Sequence, residues 1–227
     1  MAEIILLRHG QASFGAANYD QLSPLGYQQA QWLGEHFQQL GLRFDRLVHG
    51  TLQRQQQTAQ GVLDGLAPTG DTPPVTVLAG LNEFAFSALM QPLSEHYAQQ
   101  WVDTGQPQRD FYQNMLFAMQ LWMGGELPVG VVCEPWAVFR ERVLQAFRQV
   151  ADHGASRQLV ISSGGPIAII LAETMGLDEE RLRRLLLQIK NSSCSRILYN
   201  GHHFTVDSFN EIPHLLTRQR QHAITFA

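Results

Sequence analysis

The chain is short of most features that would set it apart from an ordinary globular protein. Only two cysteines, Cys133 and Cys194, stand in 227 residues, too few and too far apart for a disulfide framework or a closely spaced metal-ligand pair. No apolar run approaches membrane-spanning length. The first, Ile4 to Leu7, ends at Arg8, so the N-terminus gives no sign of a signal peptide or membrane span. Basic residues form no block, and 16 Lys+Arg against 20 Asp+Glu leave a formal net charge of −4. Neither a nucleic acid nor an anionic membrane has an electrostatic footprint here, and an anionic ligand has to be held locally. Internal repeats, heptads and long low-complexity tracts are missing, and the glutamines between Gln53 and Gln60 read as a solvated helix face. These absences predict a cytoplasmic protein with reduced thiols, no resident metal and no cofactor.

What is present suits one α/β domain over residues 1–227, since 44% of the residues are hydrophobic and 16% charged, enough to bury a substantial core. Ile4-Ile5-Leu6-Leu7 reads as a strand buried on both faces. Ser23-Pro24 offers an N-cap and first helical residue, and Ala30, Leu33, Phe37 and Leu40 follow at helical spacing up to Gly41. Arg46 to His49 makes a second strand, with Thr51 opening a helix that includes Leu52, Ala59, Val62, Leu63 and Leu66, and Val75 to Leu78 makes a third. From about residue 85 to 135 the pattern is helical, aromatic and broken by Gly and Pro, and predicts an inserted helical cap. Trp136, Phe139, Val143, Phe147 and Val150 then form one helical face. A strand at Leu159 to Ile161 leads to the loop Ser162-Ser163-Gly164-Gly165-Pro166, with a helix starting at the proline. Leu182, Leu185, Leu186 and Ile189 suggest one more helix, and Asn200-Gly201 joins two short strands as a hairpin. Alternation of strand and helix predicts a three-layer sandwich around a mostly parallel sheet.

In open α/β sheets, ligands bind beyond the carboxyl ends of the strands. Three strand ends carry polar residues: Arg8-His9-Gly10, His49-Gly50-Thr51 with Arg54, and Ser162-Ser163-Gly164-Gly165. Two guanidinium groups can clamp a phosphoryl group through paired, charge-assisted hydrogen bonds. A histidine between them supplies a nucleophile that is neutral near pH 7.

Read in order, "LLRHG" (Leu6–Gly10), "LSPLGYQQAQWLG" (Leu22–Gly34), "HGTLQRQQQTA" (His49–Ala59), "LNEF" (Leu81–Phe84), "SSGGPI" (Ser162–Ile167) and "FNEIPHL" (Phe209–Leu215) resemble the histidine phosphatase superfamily, the phosphoglycerate mutase-like proteins, over nearly the whole chain. The resemblance implies that fold. It also implies that His9 is a phosphohistidine nucleophile, Arg8 and Arg54 the phosphate-binding arginines, and Glu83 the proton donor to the leaving oxygen. Gln11, Ser163, Gly164 and His49 would complete a phosphate- or substrate-binding set.

Several departures from the family pattern accompany the match, among them His49-Gly50 where many members carry two serines before the second arginine. Ser163 stands where most members carry a second histidine, Ala12 replaces Ser or Thr, and Gly15 replaces an asparagine. Losing one well-placed donor costs about a hundred- to a thousandfold in turnover, so a slow enzyme is expected, unless the backbone N–H groups at Gly164 and Gly165 or the imidazole of His49 recover part of the loss. His214 reads as structural, and His202 and His203 as exposed beside the hairpin. Three functions stay open: a phosphatase acting on a small phosphomonoester, a weakly active or inactive relative that binds a phosphorylated ligand or a protein partner, and a mutase. A mutase must hold a second phosphate, and the segment 85–135 offers it one basic side chain besides histidine, Arg109.

Overall fold

The computed structural model describes residues 1–13, 20–66 and 72–226. In chain order the elements are β1 (Ala2–Arg8), α1 (Pro24–Gln39), β2 (Arg46–His49), α2 (Gln53–Leu66), β3 (Val75–Val77), α3 (Phe86–His96), α4 (Pro107–Gly124), α5 (Trp136–Asp152), β4 (Arg157–Ser162), α6 (Gly164–Met175), α7 (Glu179–Leu186), β5 (Cys194–Tyr199) and β6 (Phe204–Glu211). The strands form one sheet in the order β3-β2-β4-β1-β5-β6. Pairing is parallel from β3 through β1 and antiparallel for β1 with β5 and β5 with β6. This is the mostly parallel α/β sandwich that the sequence predicts.

Side chains alternate across a strand, and in the central strands both directions are apolar. Ile5, Leu7, Leu47, Leu159 and Ile161 face the layer made by α1 and α2. Ile4, Leu6, Val48, Val160 and Ile197 face the opposite layer, built around α5 and α6. That layer extends into α4, which packs against α3, α5 and α7. Phe139 of α5 is fully buried there, stacked on Trp122 at 5.5 Å and edge-on to Phe84 at 5.6 Å. Truncating so buried a ring costs about 3–5 kcal/mol.

Local chemistry sets the element ends. Ser23 caps α1 by accepting from the Gly26 N–H at 3.0 Å, with Pro24 in the first turn, the arrangement that spares an otherwise unsatisfied donor. Asp178 caps α7 the same way, accepting from the Arg181 N–H. Two expectations are corrected here. The segment read as a loop from Ser162 to Pro166 is the end of β4 followed directly by α6, which begins at Gly164 with Ser163 as N-cap. Leu40, read as part of the apolar face of α1, lies past its last residue and is 60% exposed.

Candidate active site

β2, β4 and β1 are adjacent and parallel, so their carboxyl ends bring the three polar segments together. The backbone of His9 extends the ladder, its N–H donating to Ser162 O at 2.9 Å. Its carbonyl accepts from the Ser192 N–H and from Asn191 Nδ2, both at 3.3 Å. The imidazole Nδ1 lies 2.7 Å from Gly10 O. A carbonyl can only accept, so Nδ1 carries the proton and Nε2 keeps its lone pair. Burial, and then the charges of Arg54 and Arg8, hold the imidazole well below the usual histidine range. The ring is therefore a neutral base at neutral pH, with Nε2 facing Arg54 Nε at 3.2 Å.

Arg54 projects from the first turn of α2, and its Nη1 pairs with Asp20 Oδ1 at 2.7 Å. The Gln53 N–H donates to the other Asp20 oxygen. Thr58, one turn along, donates its hydroxyl to Arg54 O and accepts from the Gly10 N–H, tying the start of α2 to the segment that carries His9. Arg8 donates to Ile189 O. Opposite them, Glu83 sits between a short 3-10 turn (Ala79–Leu81) and α3. Its carboxylate accepts from the Gly165 N–H at 2.9 Å and the Phe84 N–H at 3.2 Å. Burial pushes its pKa up, against the pull of those N–H groups and of Arg54 and Arg8. Packing of Phe84 on Trp122, at 4.7 Å, anchors the residue next to the carboxylate.

Arg8, His9, Arg54, Glu83 and Gly164 line one cavity of about 520 Å³ together with Asp20. Gln11, His49 and Ser163 are not in its lining. Gln11 Oε1 accepts from Ser23 Oγ at 2.8 Å, serving the start of α1. His49 is buried with Nδ1 2.6 Å from Gly50 O. Ser163 is fully buried and accepts from Gln55 Nε2 at 3.0 Å. Gly15 falls outside the described residues. His214 is buried with Nε2 2.8 Å from Ser192 Oγ, behind the residue that supports the His9 carbonyl, while His202 and His203 are exposed.

Sequence reasoning passed over Asp20, Gln55, Asn191 and Ser192. Asp20 reads as ordinary loop polarity before a helix cap, and the others act through contacts such as Gln55 with Ser163, Asn191 with His9 and Ser192 with His9, more than a hundred positions apart, for which a single sequence has no periodic signal. Among the described residues, no group of three or more His, Cys, Asp or Glu could hold a metal ion, and no helix is long and apolar enough to cross a membrane.

Residues 4–212 match the family described as "Histidine phosphatase superfamily (branch 1)". Similar solved structures include an alpha-ribazole phosphatase from Shigella flexneri, with 22% identity and a TM-score of 0.63 over 92% of this chain and 96% of that one. A phosphoserine phosphatase from Entamoeba histolytica in complex with 3-phosphoglyceric acid has 19% identity and a TM-score of 0.65 over 95% and 100% of the two chains. A phosphoglycerate mutase from Bacillus anthracis has 14% identity and a TM-score of 0.66 over 94% of each. At these identities the likeness is one of fold. No curated protein matches the chain.

Proposed function

The chain belongs to the histidine phosphatase superfamily, and we propose that it is a metal-independent phosphatase that hydrolyses a small phosphomonoester through a phosphohistidine on His9. One observation carries the reading: a neutral imidazole whose Nδ1 is tied to Gly10 O lines the cavity with an unprotonated Nε2 that accepts from Arg54 Nε, beside Arg8 and opposite the carboxyl group of Glu83. Arg8 and Arg54 hold the phosphoryl oxygens. Nε2 attacks phosphorus, the bond to the ester oxygen breaks, and Glu83 gives that oxygen its proton. Water then attacks the phosphohistidine, Glu83 recovers a proton from it, and inorganic phosphate and neutral His9 are released. Residues 85–135, carrying α3 and α4, act as the cap over this site. Cys133 and Cys194, both free, suit a reducing compartment, and we place the protein in the cytoplasm.

A ³²P-labelled ester should leave an acid-labile label on His9 of the wild type and none on His9→Ala, which loses turnover. Turnover should persist in EDTA. Label on another residue, near-normal activity in His9→Ala, or activity abolished by EDTA and restored by a divalent ion would overturn the mechanism.

The burial of Ser163 against Gln55 favours a second reading, a weakly active or inactive relative that binds a phosphorylated ligand or a protein partner, because position 163 then lends no group to the phosphate. A mutase ranks below both, since Arg8 and Arg54 are the only lysine or arginine side chains among the described residues lining the cavity.

A further inference from the structure

Beyond its four charged groups the cavity has a different character. Phe84, Phe86, Phe111, Met115, Leu186 and Leu187 line it, drawn from the α3 approach, α4 and the end of α7. Phe86 and Phe111 meet with ring centroids 5.7 Å apart and are only half-buried, so they keep surface to offer a ligand. The charged lining consists of Arg8 and Arg54, taken up by the phosphoryl group, and of two acids, Asp20 and Glu83. A carboxylate or second phosphate on the leaving group would lose its water, find no lysine or arginine among the described lining residues beyond the phosphate clamp, and face two acids instead. A ring or alkyl chain would gain from the same walls, each buried methylene adding to transition-state binding. A volume of about 520 Å³ falls in the range of sites for ligands much larger than a three-carbon phosphate.

We infer that the substrate is the phosphate monoester of an uncharged, largely apolar alcohol or phenol, whose hydrocarbon part lies against Phe86, Phe111 and Met115. This deepens the phosphatase reading and rests on it.

The test compares esters of primary alcohols, so that leaving-group reactivity is similar: 3-phenylpropyl phosphate against 3-phosphoglycerate and phosphoserine. kcat/KM should favour the phenylalkyl ester ten- to a hundredfold, the discrimination expected of a few apolar contacts. Phe111→Ser should cut that ratio at least about fivefold. Binding of two unreactive probes, 3-phenylpropylphosphonate and 3-phosphonopropionate, is measured calorimetrically on the wild type and should favour the first at least about tenfold. Turnover of all three esters with a ratio near one, or in favour of the anionic ones, overturns the inference and leaves the phosphatase reading standing. Discriminating phosphonate binding without any turnover overturns the phosphatase reading and leaves the apolar subsite. Equal binding of the two phosphonates refutes the subsite whatever the turnover.

Discussion

Glu83→Gln is the most informative single change, because it replaces a carboxyl group by a group of the same shape that cannot deliver a proton. Both carboxylate oxygens accept backbone N–H groups, Gly165 at 2.9 Å and Phe84 at 3.2 Å. An amide has one accepting oxygen, so one of those N–H groups would meet an NH₂ instead. A buried donor left unsatisfied costs about 1–3 kcal/mol of stability, seen as a lower denaturant midpoint. Loss of the general acid acts on turnover separately, by about a hundred- to ten-thousandfold, and only where the leaving oxygen needs a proton. Turnover should therefore be measured over a series running from alkyl to nitrophenyl phosphates, with the variant slowed greatly at the alkyl end and little at the nitrophenyl end. In the wild type the alkyl rates should fall as pH rises through the upshifted pKa of Glu83, since the protonated form is the donor. That fall should be missing from the variant. A uniform loss across the series, or an unchanged pH profile in the variant, would refute proton donation and leave Glu83 as an acceptor that merely fixes the start of α6.

Three further outcomes are expected. A Cβ on Gly165 would lie 2.2 Å from Glu83 Oε1, so Gly165→Ala should displace the carboxylate and depress alkyl-ester turnover by at least about tenfold while His9 still becomes labelled from a nitrophenyl ester; unchanged alkyl turnover would count against the placement of Glu83. Ser163→His should cost about 1–3 kcal/mol by overpacking with no gain in rate, because Gln55 occupies the adjoining space; adding Gln55→Ala should restore stability and raise turnover, a non-additive pair read by denaturant melts and phosphate release. Burial holds His214 down to about 3, so from about pH 6.5 to 3 the unfolded chain takes up a proton that the folded one refuses, and stability falls with pH by about 1.4 kcal/mol per unit for this group. Urea midpoints should fall less steeply over that range in His214→Gln than in the wild type.

The framework was legible where one local rule acted alone. Alternating or continuous apolar runs gave β1, β2 and β4, the face from Trp136 to Val150 gave α5, and Asn200-Gly201 gave the β5–β6 hairpin. Where distant contacts override local preference, reading failed. Gly164 and Gly165 look like loop residues, yet they start α6 with an N–H of Gly165 satisfied by a carboxylate 82 residues earlier. Leu52 reads as part of the α2 face but precedes the helix and lines the cavity. Among the proposed site residues, those at strand ends or in a first helical turn, Arg8, His9, Arg54 and Gly164, converge because topology alone brings them together. The orientations of Gln11, His49 and Ser163 depend on which neighbour each side chain chooses, and no spacing encodes that choice.

The place of β1 in the sheet has a consequence for timing. It is the first strand made, yet its neighbours are β4 and β5, whose residues begin at Arg157 and Cys194, and the His9 carbonyl waits for Asn191 and Ser192. At about 5–20 residues per second, His9 leaves the ribosome roughly eight to thirty seconds before β4 can pair with it and roughly ten to forty seconds before Asn191 and Ser192 can hold its carbonyl. A growing chain therefore carries His9, Arg54 and Glu83 for most of its synthesis without being able to use them, and phosphate chemistry switches on only when the second half closes over the first. Cutting the chain between α4 and α5 should give two silent fragments whose reassociation restores turnover, making the enzyme its own reporter of completed assembly.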